Sequence, residues 1–172
     1  MGIAIEGGIL AAFIAVEGII LSAILYLSCA IGIRGGAVNM VFLYGKAVQD
    51  RAVELGLTTA ERIRTSAKWF KSVGLLVYFV YTAVCVFAIN GARGFWPSFW
   101  QFTAILWIMG VFDRIVIDVI WVGHTKAWII PGTEDLMPYI TGKDHAFKWF
   151  ATIVVYPAIA AIICGVMALV LK

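Results

Sequence analysis

Charged residues are scarce in this sequence. Only 13% of its 172 residues are Asp, Glu, Lys or Arg, whereas 63% are hydrophobic, and the mean hydropathy is +0.98. Soluble domains carry about 25% charged residues. This composition therefore argues against an ordinary water-soluble domain and predicts an integral membrane protein. The net charge of +3 is small, and nothing in it indicates a nucleic-acid partner.

The motifs of common enzyme classes are also missing. The chain has no P-loop, no GxGxxG and no GxSxG, and it lacks the patterns of CDP-alcohol phosphotransferases, DHHC acyltransferases and histidine-box desaturases. Cys29, Cys85 and Cys164 lie singly in apolar segments without a CxxC pair. They are predicted to be buried thiols rather than zinc ligands. The sequence therefore predicts no cofactor and no metal site.

Long apolar runs dominate the rest of the chain. Four segments, about 9–33, 73–90, 99–123 and 149–171, reach the roughly 20 residues that a membrane-spanning helix needs. The first has no positively charged leader, so we expect it to be a permanent helix. The predicted fold class is all-α, a polytopic transmembrane four-helix bundle forming a single domain over residues 1–172.

The connection 34–71 is predicted to hold an amphipathic helix lying in the membrane interface. Its apolar residues recur at helical spacing from Val38 to Leu55, and Gly56 is a plausible stop. After it, Thr58 and Glu61 form a capping-box pattern that opens another helix.

The distribution of Lys and Arg predicts the orientation of the chain. The connection 34–71 carries seven of them and 124–148 carries three, while the other side has Arg93 and the terminal Lys172. Positively charged connections stay in the cytosol. We therefore expect a multi-pass protein of the cytoplasmic membrane with both termini outside.

The third segment carries ionisable side chains where they are costly. With 100° per residue, Asp113, Arg114, Asp118, Trp121 and His124 share one arc of the helix. The first two lie about 15 Å before its cytosolic end, near mid-membrane. Arg114 and Asp118 are spaced to pair, which leaves Asp113 needing a partner. Intramembrane charges of this kind suggest a functional site, but a network that only fixes helix packing is the alternative.

The loop after this helix continues the polar character. His124, Lys126, Glu134 and Asp135 alternate with apolar residues, which is typical of a membrane-hugging loop that could cap a cavity. His124 can exchange protons near neutral pH. It is too far along the helix to touch Asp113, so we expect it to reach Glu134 or Asp135.

Two residues interrupt the other apolar segments. Glu17 lies inside the first segment, where it is either functional or hydrogen-bonded to a neighbouring helix. Pro157 lies inside the last segment and lacks a backbone donor. It should kink that helix or sit where a neighbouring group satisfies the freed carbonyl.

The run WVGHTKAWIIPGTEDLMPYI, preceded by FDRIVIDVI, resembles a signature of small, uncharacterised four-helix bacterial membrane proteins. The resemblance spans most of the chain. It implies the four-helix membrane fold and brings no activity with it.

The first functional hypothesis is a membrane-embedded enzyme acting on a lipid-soluble or amphiphilic substrate. Asp113, Arg114, Asp118, His124 and Lys126 would line the catalytic site. His124 or Asp118 would carry a proton, and Arg114 or Lys126 would hold an anionic group. The motivation is an acid, a base and cations on one helix face opening to a charged loop.

Two other functions stay open. An oligomeric channel or transporter would use Glu17 and Asp113 on an ion or proton. A non-catalytic scaffold subunit would recruit a partner through its cytosolic face. The expected partners are membrane lipids, further copies of this chain in a homo-oligomer, and an amphiphilic small molecule or ion.

Overall fold

The computed structural model describes residues 2–171, with side chains from Gly7 onward; Lys172 lies outside the described residues. Its α-helices in chain order are α1 (Gly2–Gly32), α2 (Lys46–Glu54), α3 (Ala60–Ala83), α4 (Phe95–Phe112), α5 (Gly142–Phe150) and α6 (Tyr156–Val170). π-Helical stretches extend α3 (Val84–Ile89) and α4 (Asp113–Val122) and join α5 to α6 (Ala151–Val155). Short 3₁₀ helices cover Ala37–Leu43, Lys126–Trp128 and Glu134–Leu136. Residues 2–171 contain no strand, so the predicted all-α class is confirmed.

Three helices are long and apolar enough to span a membrane: Gly7–Gly32, Ala60–Ile89 and Gly142–Val170. α4 with its π-helical extension is not among them. Its π-helical extension contains Asp113, Arg114 and Asp118. Three apolar helices agree with a membrane protein, and the fourth span stays a prediction.

α4 is the best covered of the long helices. α4 packs against α1 on one side and α6 on another, and Phe102, Ile105 and Leu106 on it are almost completely buried. Small residues allow these close approaches. A Cβ added at Gly110 of α4 would lie 2.7 Å from Cγ2 of Thr152, and one at Gly18 of α1 would lie 2.7 Å from Cβ of Ile108.

Two helices begin earlier than their apolar runs. α3 begins at Ala60, and the hydroxyl oxygen of Thr59 accepts the Arg62 N–H at 3.2 Å. The predicted capping residue, Thr58, is therefore wrong by one position. α5 begins at Gly142 behind a capping box of Thr141 and Asp144, which the hydropathy pattern alone did not reveal.

The predicted single amphipathic helix in the first connection is wrong. The segment forms a 3₁₀ helix and α2, separated at Tyr44 and Gly45. Its apolar residues Met40, Val41 and Val48 are buried within the protein, because the segment packs against α1 and α3. We call the two packed connections, residues 33–59 and 123–141, the cap.

Pro157 is accommodated as the sequence predicts. In a π-helix each N–H bonds to the carbonyl five residues earlier, and for Pro157 that carbonyl belongs to Thr152. The Trp107 indole N–H of α4 donates to this carbonyl oxygen at 2.9 Å. A neighbouring helix thus supplies the donor that proline lacks.

Candidate functional site

Four charged side chains form one cluster between α4 and α5. The Arg114 guanidinium donates to Asp113, and it also pairs with Asp118 at 3.4 Å between Nη1 and Oδ2. From α5, Lys148 Nζ donates to Asp118 Oδ1 at 2.7 Å. We call Asp113, Arg114, Asp118 and Lys148 the ion cluster. It contains two carboxylates and two cations, so its formal charges balance.

Burial differs sharply across the ion cluster. Arg114 and Asp118 keep only 6% and 5% of their surface exposed, whereas the Lys148 side chain keeps 34%. Buried charges are tolerated when they are paired and hydrogen-bonded. Asp118 has a cation on each side, and Lys148 is the more accessible end of the network.

The helix geometry at the cluster departs from the α-helical wheel used to predict it. Asp113–Val122 is π-helical, and such segments are rare and frequent at functional sites. The polar face still points inward, since Arg114 and Asp118 are buried while Ile115 and Ile120 are exposed. The expected pairing of Arg114 with Asp118 is present. Asp113, expected to need another helix or subunit, instead pairs with its neighbour Arg114.

The ion cluster forms part of the wall of a cavity of about 320 Å³, here called the main cavity. This volume is at the lower end of the range for small-molecule sites. Around the cluster the wall is largely apolar and aromatic. The remaining lining residues are Leu25, Cys29, Leu43, Tyr44, Phe70, Ile117, Val122, Trp128, Tyr139, Ile140, Phe147, Ala151 and Tyr156.

The lining of the main cavity combines exposed apolar residues with buried charges. Among its lining residues, Phe147 on α5 and Leu43 on the cap are 71% and 45% exposed, and we call these two residues the rim. Arg114 and Asp118 are deeply buried, as are the apolar Ile117 and Trp128. A molecule entering past the rim would meet apolar side chains and the part-exposed Lys148 before it reached Arg114 and Asp118.

Aromatic residues hold the cap over the main cavity. The Tyr44 hydroxyl donates to the Trp128 carbonyl oxygen at 2.6 Å, and the Tyr44 ring meets that of Tyr139 edge-on with centroids 5.0 Å apart. Burial, together with the neighbouring Tyr139, raises the pKa of Tyr44 well above that of a free phenol. At the cap's surface Arg51 forms two 3.3 Å hydrogen bonds with the Asp135 carboxylate. The two connections are thus joined by specific contacts.

A second cavity, of about 170 Å³, adjoins the first. Both histidines line it, and it shares Asp118, Val122, Tyr139 and Ile140 with the main cavity. We call it the histidine cavity. Nδ1 of His124 lies 2.6 Å from the Val119 carbonyl oxygen, so Nδ1 carries the proton and donates. Nε2 is left as the second ring nitrogen available to another group.

The expected contact of His124 with a loop carboxylate is wrong. Glu134 instead accepts the Gly132 N–H at 2.8 Å, and Asp135 accepts from Arg51. A short turn makes Gly132 the nearer donor, and α2 brings Arg51 against Asp135. These two acids stabilise the cap and lie away from the ion cluster.

The other predicted site residues are dispersed. Lys126 is exposed at the start of a 3₁₀ helix and lines neither cavity. Trp121 packs against the rings of Tyr26 and Trp128 with centroids 4.8 and 5.2 Å apart. It therefore joins α4 to α1 and the cap rather than lining the main cavity.

Glu17 belongs to a different part of the molecule. It is buried, and one carboxylate oxygen accepts from the Asn90 side-chain amide at 3.1 Å. Asn90 lies twenty residues beyond Phe70, the α3 residue at the main cavity, which is about 30 Å along a helix. Glu17 therefore connects α1 to the end of α3, away from the ion cluster.

Sequence reasoning missed Lys148 as a site residue. It counted only as a positive charge of the second connection, because no local pattern relates it to Asp118 thirty positions earlier. The main-cavity residues Tyr44 and Cys29 were missed for the same reason. Across the described residues, no group of three or more His, Cys, Asp or Glu side chains is arranged to hold a metal ion.

Comparison with known proteins identifies no relative of this chain. The chain matches no protein-family model, no curated protein and no solved structure. The resemblance to small four-helix bacterial membrane proteins stays a prediction from the sequence.

Proposed function

We propose that this chain is an integral membrane protein that binds an amphiphilic molecule in the main cavity, at the cytosolic end of its helices. The observation that carries the proposal is that one cavity brings together the exposed apolar residues Leu43 and Phe147 and the ion cluster with its buried Arg114 and Asp118. An amphiphile likewise has an apolar part and a polar part. Its polar end would lie at the ion cluster and its apolar end at the rim.

Lys148 and Asp113 are the cluster residues best placed to touch such a molecule. Both are more accessible than Arg114 and Asp118. An ammonium group has three donors, and Lys148 uses one of them on Asp118. A bound hydroxyl or carbonyl oxygen could accept from the others. Acid–base chemistry on the bound molecule, if the protein is an enzyme, would involve these two groups.

The histidine cavity places further polar groups next to the main cavity. It meets the main cavity at Asp118 and carries His124 on its wall. This arrangement supports the enzyme hypothesis more than the scaffold hypothesis, since a scaffold has no need of a charged cavity. Channel and scaffold functions stay predictions, and no specific contact favours either.

Photo-crosslinking tests the proposal. The protein, in lipid nanodiscs, is illuminated with diazirine- and alkyne-bearing forms of lauric acid and monolauroylglycerol, and labelled residues are mapped by mass spectrometry. We expect labels on the π-helical extension of α4, Asp113–Val122, and on residues 147–156. Ala151→Phe, which fills the cavity wall, should remove them.

The matched control is Ala158→Phe, the same substitution at an exposed position of α6. It should leave cavity labelling unchanged. Labelling spread evenly over exposed apolar residues such as Ile153 and Ile162, and insensitive to Ala151→Phe, would contradict amphiphile binding in the main cavity.

A further inference from the structure

The charges in the main cavity bear on which amphiphile it accepts. We propose, on the basis of the proposed function, that the polar end of the bound molecule carries no net charge and is an uncharged hydroxyl, ester or amide group. The wall of the main cavity has four formally charged residues, Asp113, Arg114, Asp118 and Lys148. Each is already paired with an opposite charge inside the cluster.

A charged headgroup would have to break this balance. An anion at Lys148 would compete with Asp118, and a cation at Asp113 would compete with Arg114. Either would leave one unpaired charge in a site where Arg114 and Asp118 are almost fully buried. Such a charge is strongly unfavourable, because water no longer solvates it.

An uncharged polar group avoids that cost and still finds partners. Lys148 has donors to spare, and Asp113 has a second carboxylate oxygen, since Arg114 engages Oδ2. The Tyr156 phenol, which can donate or accept, lies on the same wall. A hydroxyl or carbonyl can bond to these groups without displacing an ion pair. The modest volume of the main cavity also suits a small headgroup.

The same reasoning predicts a change of preference when the balance is altered. Asp118→Asn leaves the cluster with one surplus positive charge and should favour an anionic headgroup. Lys148→Gln leaves one surplus negative charge and should favour a cationic one. The double variant is balanced again and should prefer the uncharged headgroup as the wild type does.

Leu43 provides the readout because it lines the main cavity and is 45% exposed. In a Cys29→Ala/Cys85→Ala/Cys164→Ala background in nanodiscs, N-ethylmaleimide alkylates the thiol of Leu43→Cys, and added amphiphiles protect it. The probes share a twelve-carbon chain: monolauroylglycerol is uncharged, dodecylsulfonate is anionic and dodecyltrimethylammonium is cationic. They are compared at equal concentration in the bilayer, with the exposed Lys143→Gln as the control for losing a positive charge outside the cavity.

With the ion cluster unchanged, we expect monolauroylglycerol to half-protect the thiol of Leu43→Cys at a concentration at least about tenfold lower than either charged probe, a difference of about 1.4 kcal/mol. Adding Lys143→Gln should leave this preference unchanged. If a charged probe protects the unchanged cluster as well or better, or if the preference is the same in both single variants, the inference fails while amphiphile binding stands. If none of the three probes protects the thiol of Leu43→Cys, amphiphile binding itself is contradicted. Should a single variant not fold, the wild-type series and the balanced double variant still decide the outcome.

Discussion

The Lys148 ammonium of α5 donates to the Asp118 carboxylate of α4 at 2.7 Å, joining residues thirty positions apart. Asp118 also pairs with Arg114, so this one contact connects the central helix's internal ion pair to a neighbouring helix. The link has a direct consequence for stability, because it closes a network that is otherwise confined to α4.

Replacing Lys148 with Met should lower the free energy of unfolding by about 1–3 kcal/mol. The loss stays below that of a fully buried pair because the Lys148 side chain is one-third exposed, and Arg114 still holds Asp118. Unfolding in mixed micelles, followed by circular dichroism, measures the change. Lys143→Met removes an exposed charge from the same helix and should change stability little. Equal stabilities of the two variants would mean that the contact contributes nothing.

Gly110→Ala should destabilise the protein by about 1–3 kcal/mol. The new methyl group would lie 2.7 Å from Cγ2 of Thr152, so α4 and α6 must separate or Thr152 must move. Gly8→Ala in α1 is the matched control. Nothing lies within 4 Å of its added Cβ, and the change should be neutral or stabilising by up to about 1 kcal/mol through helix propensity. The same unfolding assay distinguishes them, and a neutral Gly110→Ala would contradict the close packing.

The cap should loosen at alkaline pH through Tyr44. Its pKa is raised in the folded protein by burial and by Tyr139, so in the unfolded chain the phenol ionises first, near pH 10. The folded state is therefore fully stable below that pH with respect to Tyr44. It loses stability as pH rises toward the higher folded pKa.

Tyr44→Phe should remove the part of the alkaline loss of stability that comes from ionisation of Tyr44. At neutral pH the variant should be less stable by about 1 kcal/mol, because it loses the hydrogen bond to the Trp128 carbonyl. Above pH 10 its stability should fall less steeply than that of the wild type. Proteolysis of the cap as a function of pH measures both effects. Parallel curves of stability against pH for the two proteins would contradict the role of Tyr44 in the alkaline loss of stability.

The number of membrane crossings can be decided with two cysteines. In a background without native cysteines, Arg93→Cys lies in the turn between α3 and α4, and Lys143→Cys lies at the start of α5. If α4 crosses the membrane as predicted, an impermeant maleimide applied to intact cells labels Arg93→Cys. Lys143→Cys reacts only after permeabilisation. Labelling of both sites in intact cells would show that α4 does not separate them.

The inward polar face of α4 could be predicted because it depends on local spacing. Arg114 and Asp118 are four residues apart, and Ile115, Val119 and Ile120 fall on the opposite side. Burial of that face and the pairing of these two residues hold in the structure. The long apolar helices were predictable for the same reason, since length and composition alone define them.

The partners from other helices could not be predicted in this way. Lys148 reaches the main cavity because α5 packs against the π-helical extension of α4, and Tyr44 reaches it because the first connection packs against the second. Hydropathy does not encode that packing. The π-helical geometry of Asp113–Val122 was missed because a helical wheel assumes 100° per residue. The helix start at Gly142 was missed because its polar first turn does not stand out in hydropathy, whereas the capping pattern at Thr58 predicted the start at Ala60 to within one position.

The order of the chain gives the central position of α4 a consequence for biosynthesis. α4 leaves the ribosome before α5, so Asp118 enters its environment with Arg114 as partner and without Lys148. α6, the other helix that covers α4, is synthesised later still. A nascent chain ending before residue 142 would hold α4 and its charged extension with two of their supports missing. The packing around α4 is therefore completed only by residues 142–170, and a truncation before them removes both supports at once.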